Sequence, residues 1–170
     1  MQILVLNATP LIYLTKIGFA WLFEKLPFEF WTVSNVEKEV VEVGIQLKAL
    51  DAVVIKDLIA SGKIKIINPS NRPLLSMLTS IHGLHVGEAA VLALAKERGC
   101  IAILDDEKAR RVARTLGIKY EGTPFLFALA VTTEKITKDQ ALSAINEMIR
   151  AGWLCGAQEY SEIVKMLERI

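Results

Sequence analysis

Residues 85–120 restrict what this chain can fold into more than any other stretch. Residues 85–98 are almost wholly apolar in their middle, which predicts a buried helix ended by Gly99. Residues 100–104, Cys-Ile-Ala-Ile-Leu, form a continuous apolar run, the pattern of a strand covered on both faces. Residues 106–116 then put Ala109, Val112, Ala113 and Leu116 on one helical face, Gly117 closes that helix, and residues 118–120 read as a further short strand. Helix, strand, helix and strand with short joints are the signature of a parallel sheet between helix layers. The expected class is α/β: a three-layer α/β/α sandwich around a mainly parallel sheet.

The flanking sequence fits that plan. Residues 1–6 predict the first strand. Thr9 can cap the next helix, Pro10 suits its first turn, and Gly18 stops it. A short helix over 20–26 and an aromatic, β-branched strand over 28–33 follow. Ser34 or Asn35 opens a helix to about Glu42, closed by Gly44. A helix over 47–60 leads to an alternating Lys-Ile edge strand over 63–67, a loop over 68–73 and a short helix over 74–81. Segments 124–132, 137–151 and 159–170 predict three more helices. At 170 residues the expectation is a single domain over 1–170, with 137–170 as a C-terminal helical extension.

Composition narrows the partners. Hydrophobic residues make up 52%, which excludes a disordered chain. Twenty Lys and Arg against nineteen Asp and Glu give a net charge of +1, so any nucleic-acid surface has to be a local patch. Cys100 and Cys155 are too few for a disulfide framework, and a reducing cytoplasm is the simpler expectation. The longest apolar runs, 89–95 and 125–131, have seven residues, against the ~20 that span a bilayer. No basic residue precedes the first apolar stretch, so no secretory signal is expected.

In a parallel α/β sheet, ligands bind beyond the carboxyl ends of the strands. Two expected strands end there in polar residues: Asn7, and the pair Asp105-Asp106. Adjacent carboxylates repel unless a cation neutralises them, which points to a metal or substrate role; one of the two can equally serve as the N-cap of the next helix. Glu88 lies in the first turns of the apolar helix. It is explained either by the helix dipole or by ligation of a cation. Glu37, Glu39 and Glu42 read as helix surface, with Glu39 a candidate if its helix reaches the same crevice. His82 and His85 are spaced i, i+3, a weak zinc signal without a third ligand. Oxygen donors of this kind suit Mg²⁺ or Mn²⁺. Lys108, Arg110, Arg111 and Arg114 line the polar face of the helix after Asp106. With Lys16 they form either a solvated face or an anchor for phosphates. No Gly-x-Gly-x-x-Gly, Gly-Lys-Ser/Thr or Gly-x-Ser-x-Gly occurs.

Four segments in order carry a resemblance. Val5-Leu6-Asn7-Ala8-Thr9-Pro10-Leu11-Ile12-Tyr13-Leu14-Thr15-Lys16-Ile17-Gly18 resembles the opening of PIN domains, in the prokaryotic branch related to VapC toxins. Val36-Glu37-Lys38-Glu39-Val40-Val41, Gly87-Glu88-Ala89-Ala90 and Leu104-Asp105-Asp106-Glu107-Lys108-Ala109-Arg110-Arg111 are similar to its later motifs, and Glu121-Gly122-Thr123 also fits. The resemblance covers about residues 2–131. It implies a parallel-sheet nuclease fold and Mg²⁺- or Mn²⁺-dependent cleavage of single-stranded RNA.

Carried over by position, the resemblance makes Glu39, Glu88 and Asp106 the catalytic acids, with Asn7 and Asp105 completing the metal set. Thr9 would be the small polar residue near the metal and Thr123 its counterpart, joining Lys16, Lys108, Arg110, Arg111 and Arg114 as expected RNA contacts. The departure is Asn7, where the family usually has Asp: it offers a carbonyl oxygen but no charge.

The leading expectation is thus a metal-dependent endoribonuclease, the toxin of a toxin–antitoxin pair with an antitoxin protein as partner. The alternative is a weakened PIN-fold module that binds RNA or protein. A receiver-like phosphoacceptor domain is disfavoured by Asn7 and by Glu88 on a buried helix. The apolar helices over 124–132 and 137–151 exceed what a small sheet needs and predict a homodimer.

Overall fold

The computed structural model describes residues 2–170. The expected first strand is β1 (Gln2–Leu6), and Met1 lies outside the described residues. With β2 (Phe28–Thr32), β3 (Ile64–Ile66), β4 (Ile101–Ile103) and β5 (Tyr120–Glu121) it forms one sheet of order β3-β2-β1-β4-β5, every neighbouring pair parallel. Leu4, Val5 and Leu6 are all fully buried although successive side chains point to opposite faces, so helices cover both sides of β1. The α/β/α class read from the sequence is the fold observed. The alternating Lys-Ile strand is β3, and it lies at the sheet edge as expected.

The strand order positions the site. From β1 the chain builds outward through β2 and β3, then returns to add β4 and β5 on the other side. The connections diverge between β1 and β4, and a crevice opens beyond their carboxyl ends. Asn7 follows β1 there, its N–H donating to Ile103 O of β4 at 3.3 Å. The helices around this frame begin with α1 (Ala8–Lys16) and α2 (Leu22–Lys25). Next come α3 (Ser34–Glu37), a π-helical segment (Lys38–Val43), α4 (Gly44–Gln46) and α5 (Leu50–Ala60). Then follow α6 (Arg72–Thr79), α7 (Val86–Arg98), α8 (Glu107–Thr115), α9 (Pro124–Thr132), α10 (Lys138–Arg150) and α11 (Ala157–Glu168).

Two boundaries differ from expectation for visible reasons. Gly44 does not close a helix: at φ −60° and ψ −43° it continues from the π-segment. A Cβ there would fall 2.7 Å from the Ala52 Cβ, so glycine serves the close approach of α5, and the chain turns instead at Lys48, φ 58°. The helix expected over 74–81 starts at Arg72, because Asn71 Oδ1 accepts from the Leu74 N–H at 3.0 Å and Pro73 sits in the first turn.

Much of the apolar surface behind the homodimer expectation packs within the chain. Leu126, Phe127 and Ala130 of α9 and Ala141, Ala144, Ile145 and Met148 of α10 are buried in the same core as β1, as are Ile163 and Leu167 of α11. Exposed large apolar side chains concentrate elsewhere, from Val43 and Ile45 through Leu47 and Leu50 to Val53 and Val54. Among the described residues no helix is long and apolar enough to cross a membrane.

Candidate metal centre beyond β1 and β4

The starts of α1 and α7 and the π-segment bring polar side chains to one cavity of about 160 Å³, lined by Asn7, Ala8, Glu39, His85 and Glu88. Asn7 is the N-cap residue of α1, yet its side chain makes no capping hydrogen bond. At 7% exposure it is a buried amide whose oxygen is not committed to the helix. Glu39 lies in the first turn of the π-segment. A helix widened to i→i+5 pairing is rare and costs regular geometry, and such segments recur at functional sites.

Glu88 lies on the first turn of α7, the helix read from sequence as apolar and buried, and it is itself buried. Its Oε2 accepts from the His85 backbone N–H at 2.9 Å. Burial pushes its carboxyl above the usual range, and the charges of Asp106 and Glu39 push the same way; the His85 N–H and the nearby His85 ring oppose them.

Gly87 makes room for this convergence. A Cβ on it would lie 3.8 Å from Glu39 Oε2, 4.0 Å from Asn7 Oδ1 and 3.1 Å from Val36 Cγ2. Both oxygens therefore border the space that a β-carbon at residue 87 would fill. Among the described residues no three His, Cys, Asp or Glu side chains form a ready-made ion cluster. The cavity offers two carboxylates and an amide oxygen, all hard donors, around an open cradle. That set fits Mg²⁺ or Mn²⁺, ions held by one or two carboxylates with water filling the other positions.

The other expected ligands are arranged differently. Asp106 is the N-cap of α8, its Oδ1 accepting from the Ala109 N–H at 2.8 Å, and its charge reaches the cavity through Glu88. Asp105 turns away. Its Oδ1 accepts from the Thr123 N–H at 2.9 Å, its other oxygen accepts from the Thr123 hydroxyl, and Arg110 Nη2 is 3.4 Å away. Burial drives its carboxyl above the usual range, with Thr123 and Arg110 opposing. Asp105 and Thr123 thus form an internal clamp between the ends of β4 and β5 and do not line the cavity.

The expected RNA contacts are also dispersed. Arg110 directs Nε to Leu104 O at 2.8 Å and Nη1 to Glu159 of α11 at 3.0 Å, so its donors are engaged inside the protein. Lys108 donates to His82 O. Arg114 bonds the Tyr120 hydroxyl and pairs with Glu107, in a separate groove bounded by α11. Arg111 lies on an apolar groove with Met77 and Leu116. Lys16 sits 5.4 Å from the Tyr13 ring centroid at the far end of α1, and half-buried Thr9 is two residues from Asn7.

Sequence reasoning missed His85 as a cavity residue. The signal was available: it stands three positions before Glu88, where an N-cap residue shares the helix end with its N3 partner. Among curated proteins the chain matches none. A family model described as PIN domain, a fold of the nuclease type, aligns with residues 3–169. The match spans nearly the whole chain and agrees with the parallel sheet, so the chain belongs to the PIN-domain family.

Proposed function

We propose that this chain is a Mg²⁺- or Mn²⁺-dependent endoribonuclease acting on single-stranded RNA, a toxin of the VapC-related prokaryotic branch with a cognate antitoxin protein. The observation that carries the reading is the convergence of Asn7 Oδ1 and Glu39 Oε2 on the space left by Gly87, in one cavity with Glu88. Glu39, Glu88 and Asn7 would hold the ion, and Asp106 supplies further negative charge beside Glu88. A divalent ion held there would supply Lewis acidity, offsetting phosphate charge and making a water molecule more acidic. A cation there would favour the ionised form of Glu88, which burial and its acidic neighbours disfavour.

The test is cleavage of a single-stranded RNA with added Mn²⁺, comparing the native chain with Glu39→Gln, Glu88→Gln and Asp106→Asn. Loss of about 100-fold or more in the first two supports the ligand set. Undiminished cleavage in both overturns it. A second reading, a weakened PIN-fold module that binds RNA or protein, is favoured by Asn7, which leaves the cavity one carboxylate short. RNA binding without cleavage, with cleavage gained on Asn7→Asp, selects that reading.

A further inference from the structure

The cavity presents a problem of charge. Two carboxylates, Glu39 and Glu88, face a substrate whose backbone is also anionic, with Asp106 near enough to act on Glu88. The cationic side chains that would offset this lie elsewhere. Lys108 is bonded to His82 O, and Arg110 to Leu104, Asp105 and Glu159. Arg111 and Arg114 border two other grooves, and Lys16 is stacked near Tyr13. Apart from the Asn7 amide nitrogen, one side chain lining the cavity can donate a hydrogen bond at any protonation state: the imidazole of His85.

His85 is also held in place. Its backbone N–H is fixed to Glu88 Oε2 at 2.9 Å, and it has extended backbone angles as the N-cap residue of α7. The turn leading to it is pinned from α8, where Lys108 donates to His82 O. His85 is itself an exposed residue, at the rim of the cavity that buries Glu88. A donor carried on this anchored backbone, at the edge of a carboxylate-lined cavity, can bond a phosphate oxygen of a nucleic-acid substrate.

We propose that His85 is a catalytic residue that contacts the substrate, its ring N–H donating to a non-bridging oxygen of the RNA phosphate at the cavity. This rests on the nuclease reading above and adds a residue to it. The experiment measures three quantities for the native chain, His85→Ala and His85→Gln: kcat/KM for Mn²⁺-dependent cleavage of a fluorescent single-stranded RNA, the affinity for the same RNA on a Glu88→Gln background, and the rise in Tm caused by Mn²⁺ alone.

The expected result is a loss of about 10- to 100-fold in kcat/KM for His85→Ala, the size of one hydrogen bond to a charged group. His85→Gln, which keeps a donor, recovers part of it, and the Mn²⁺-induced rise in Tm stays as in the native chain. Unchanged kcat/KM and affinity in His85→Ala overturn the contact and leave the nuclease reading intact. Loss of the Mn²⁺ effect in His85→Ala makes the ring a metal ligand and also overturns it. RNA binding that depends on His85 without any cleavage by the native chain sinks the nuclease reading and retains the contact. A native chain that neither binds nor cleaves RNA overturns both.

Discussion

The backbone N–H of His85 donates to Glu88 Oε2 at 2.9 Å, so one oxygen of the buried carboxylate is tied to the start of its own helix. The hydrogen bond satisfies one of the unpaired donors near the helix end and fixes the side-chain rotamer. It also offsets only part of the cost of keeping an anion at a buried site, since burial and two acidic neighbours still disfavour the charge. On the proposed reading, Glu88 is a site where stability is given up for a charge that the ion would need.

The Glu88→Gln variant tests that trade directly. The amide oxygen can still accept from His85, while the like-charge repulsion with Glu39 and Asp106 disappears. Without divalent ions the variant should melt higher than the native chain, by roughly 2–4 °C for a gain of about 1 kcal/mol at this length. Added Mn²⁺ should raise the Tm of the native chain and leave the variant nearly unchanged. A variant that melts lower without metal contradicts the electrostatic account of this helix end.

Gly87→Ala separates the cradle from the fold. In a helix, alanine is favoured over glycine by about 1 kcal/mol. Here its methyl would press on Val36 Cγ2 at 3.1 Å, and overpacking costs about 1–3 kcal/mol. These effects oppose, so the change in urea stability should be small. The same methyl would stand 3.8 Å from Glu39 Oε2 and 4.0 Å from Asn7 Oδ1, in van der Waals contact with both proposed ligands of the ion. Cleavage and the Mn²⁺-induced rise in Tm should fall far more than stability, and parallel losses in all three would argue against an ion at this point.

The sheet was legible in the sequence because its signals are local. Apolar runs such as 100–104 announce buried strands, and the glycines at 99 and 117 end the helices beside them. The polar ends of β1 and β4 were legible for the same reason, since a parallel sheet fixes which strand ends face the crevice. What was illegible depends on side chains meeting across the fold. Nothing in the composition of residues 104–123 says that Asp105 turns to Thr123 while Asp106 caps α8. The π-segment under Glu39 has no composition rule of its own, and Gly44 reads as a helix stop because its partner, Ala52, is a tertiary neighbour.

The Asp105–Thr123 clamp should behave as structure. Asp105→Asn puts an NH₂ group where one carboxylate oxygen accepts from Thr123, and leaves Arg110 with Glu159 as its one remaining carboxylate partner. The expected cost is about 2–4 kcal/mol in urea unfolding. Thr123→Ala, at a fully buried site, should cost about 1–3 kcal/mol. Neither variant should abolish the Mn²⁺-induced rise in Tm at temperatures where it is folded. Loss of that rise in Asp105→Asn would return Asp105 to the metal set.

A pH dependence follows from Glu97. Its carboxylate accepts from Ser70 N–H at 2.8 Å, Ser70 Oγ at 2.7 Å and Asn71 N–H at 3.1 Å, bonds that hold it below the usual carboxylate range. A group with a depressed folded pKa contributes stability above its unfolded pKa, and that contribution fades as pH falls through the folded value. Glu97→Gln should therefore be less stable than the native chain at neutral pH, and the gap should close in acid. Urea midpoints across that range check it, and a gap independent of pH would sink it.

Asn7→Asp asks how far one missing charge matters. The new carboxylate would stand at the N-terminus of α1, where the helix dipole favours it by roughly 0.3–1 kcal/mol. It would also be buried, at 7% exposure, near Glu39 Oε2 across the Gly87 gap. Burial and repulsion outweigh the dipole, so the metal-free variant should melt below the native chain. Each added carboxylate strengthens a hard-cation site, so the Mn²⁺-induced rise in Tm should be larger in the variant and saturate at lower ion concentration. Cleavage should rise with it if charge at this position limits the native chain. A variant that loses stability without any gain in Mn²⁺ response would mean that residue 7 does not face the ion, and the ligand set would reduce to Glu39 and Glu88.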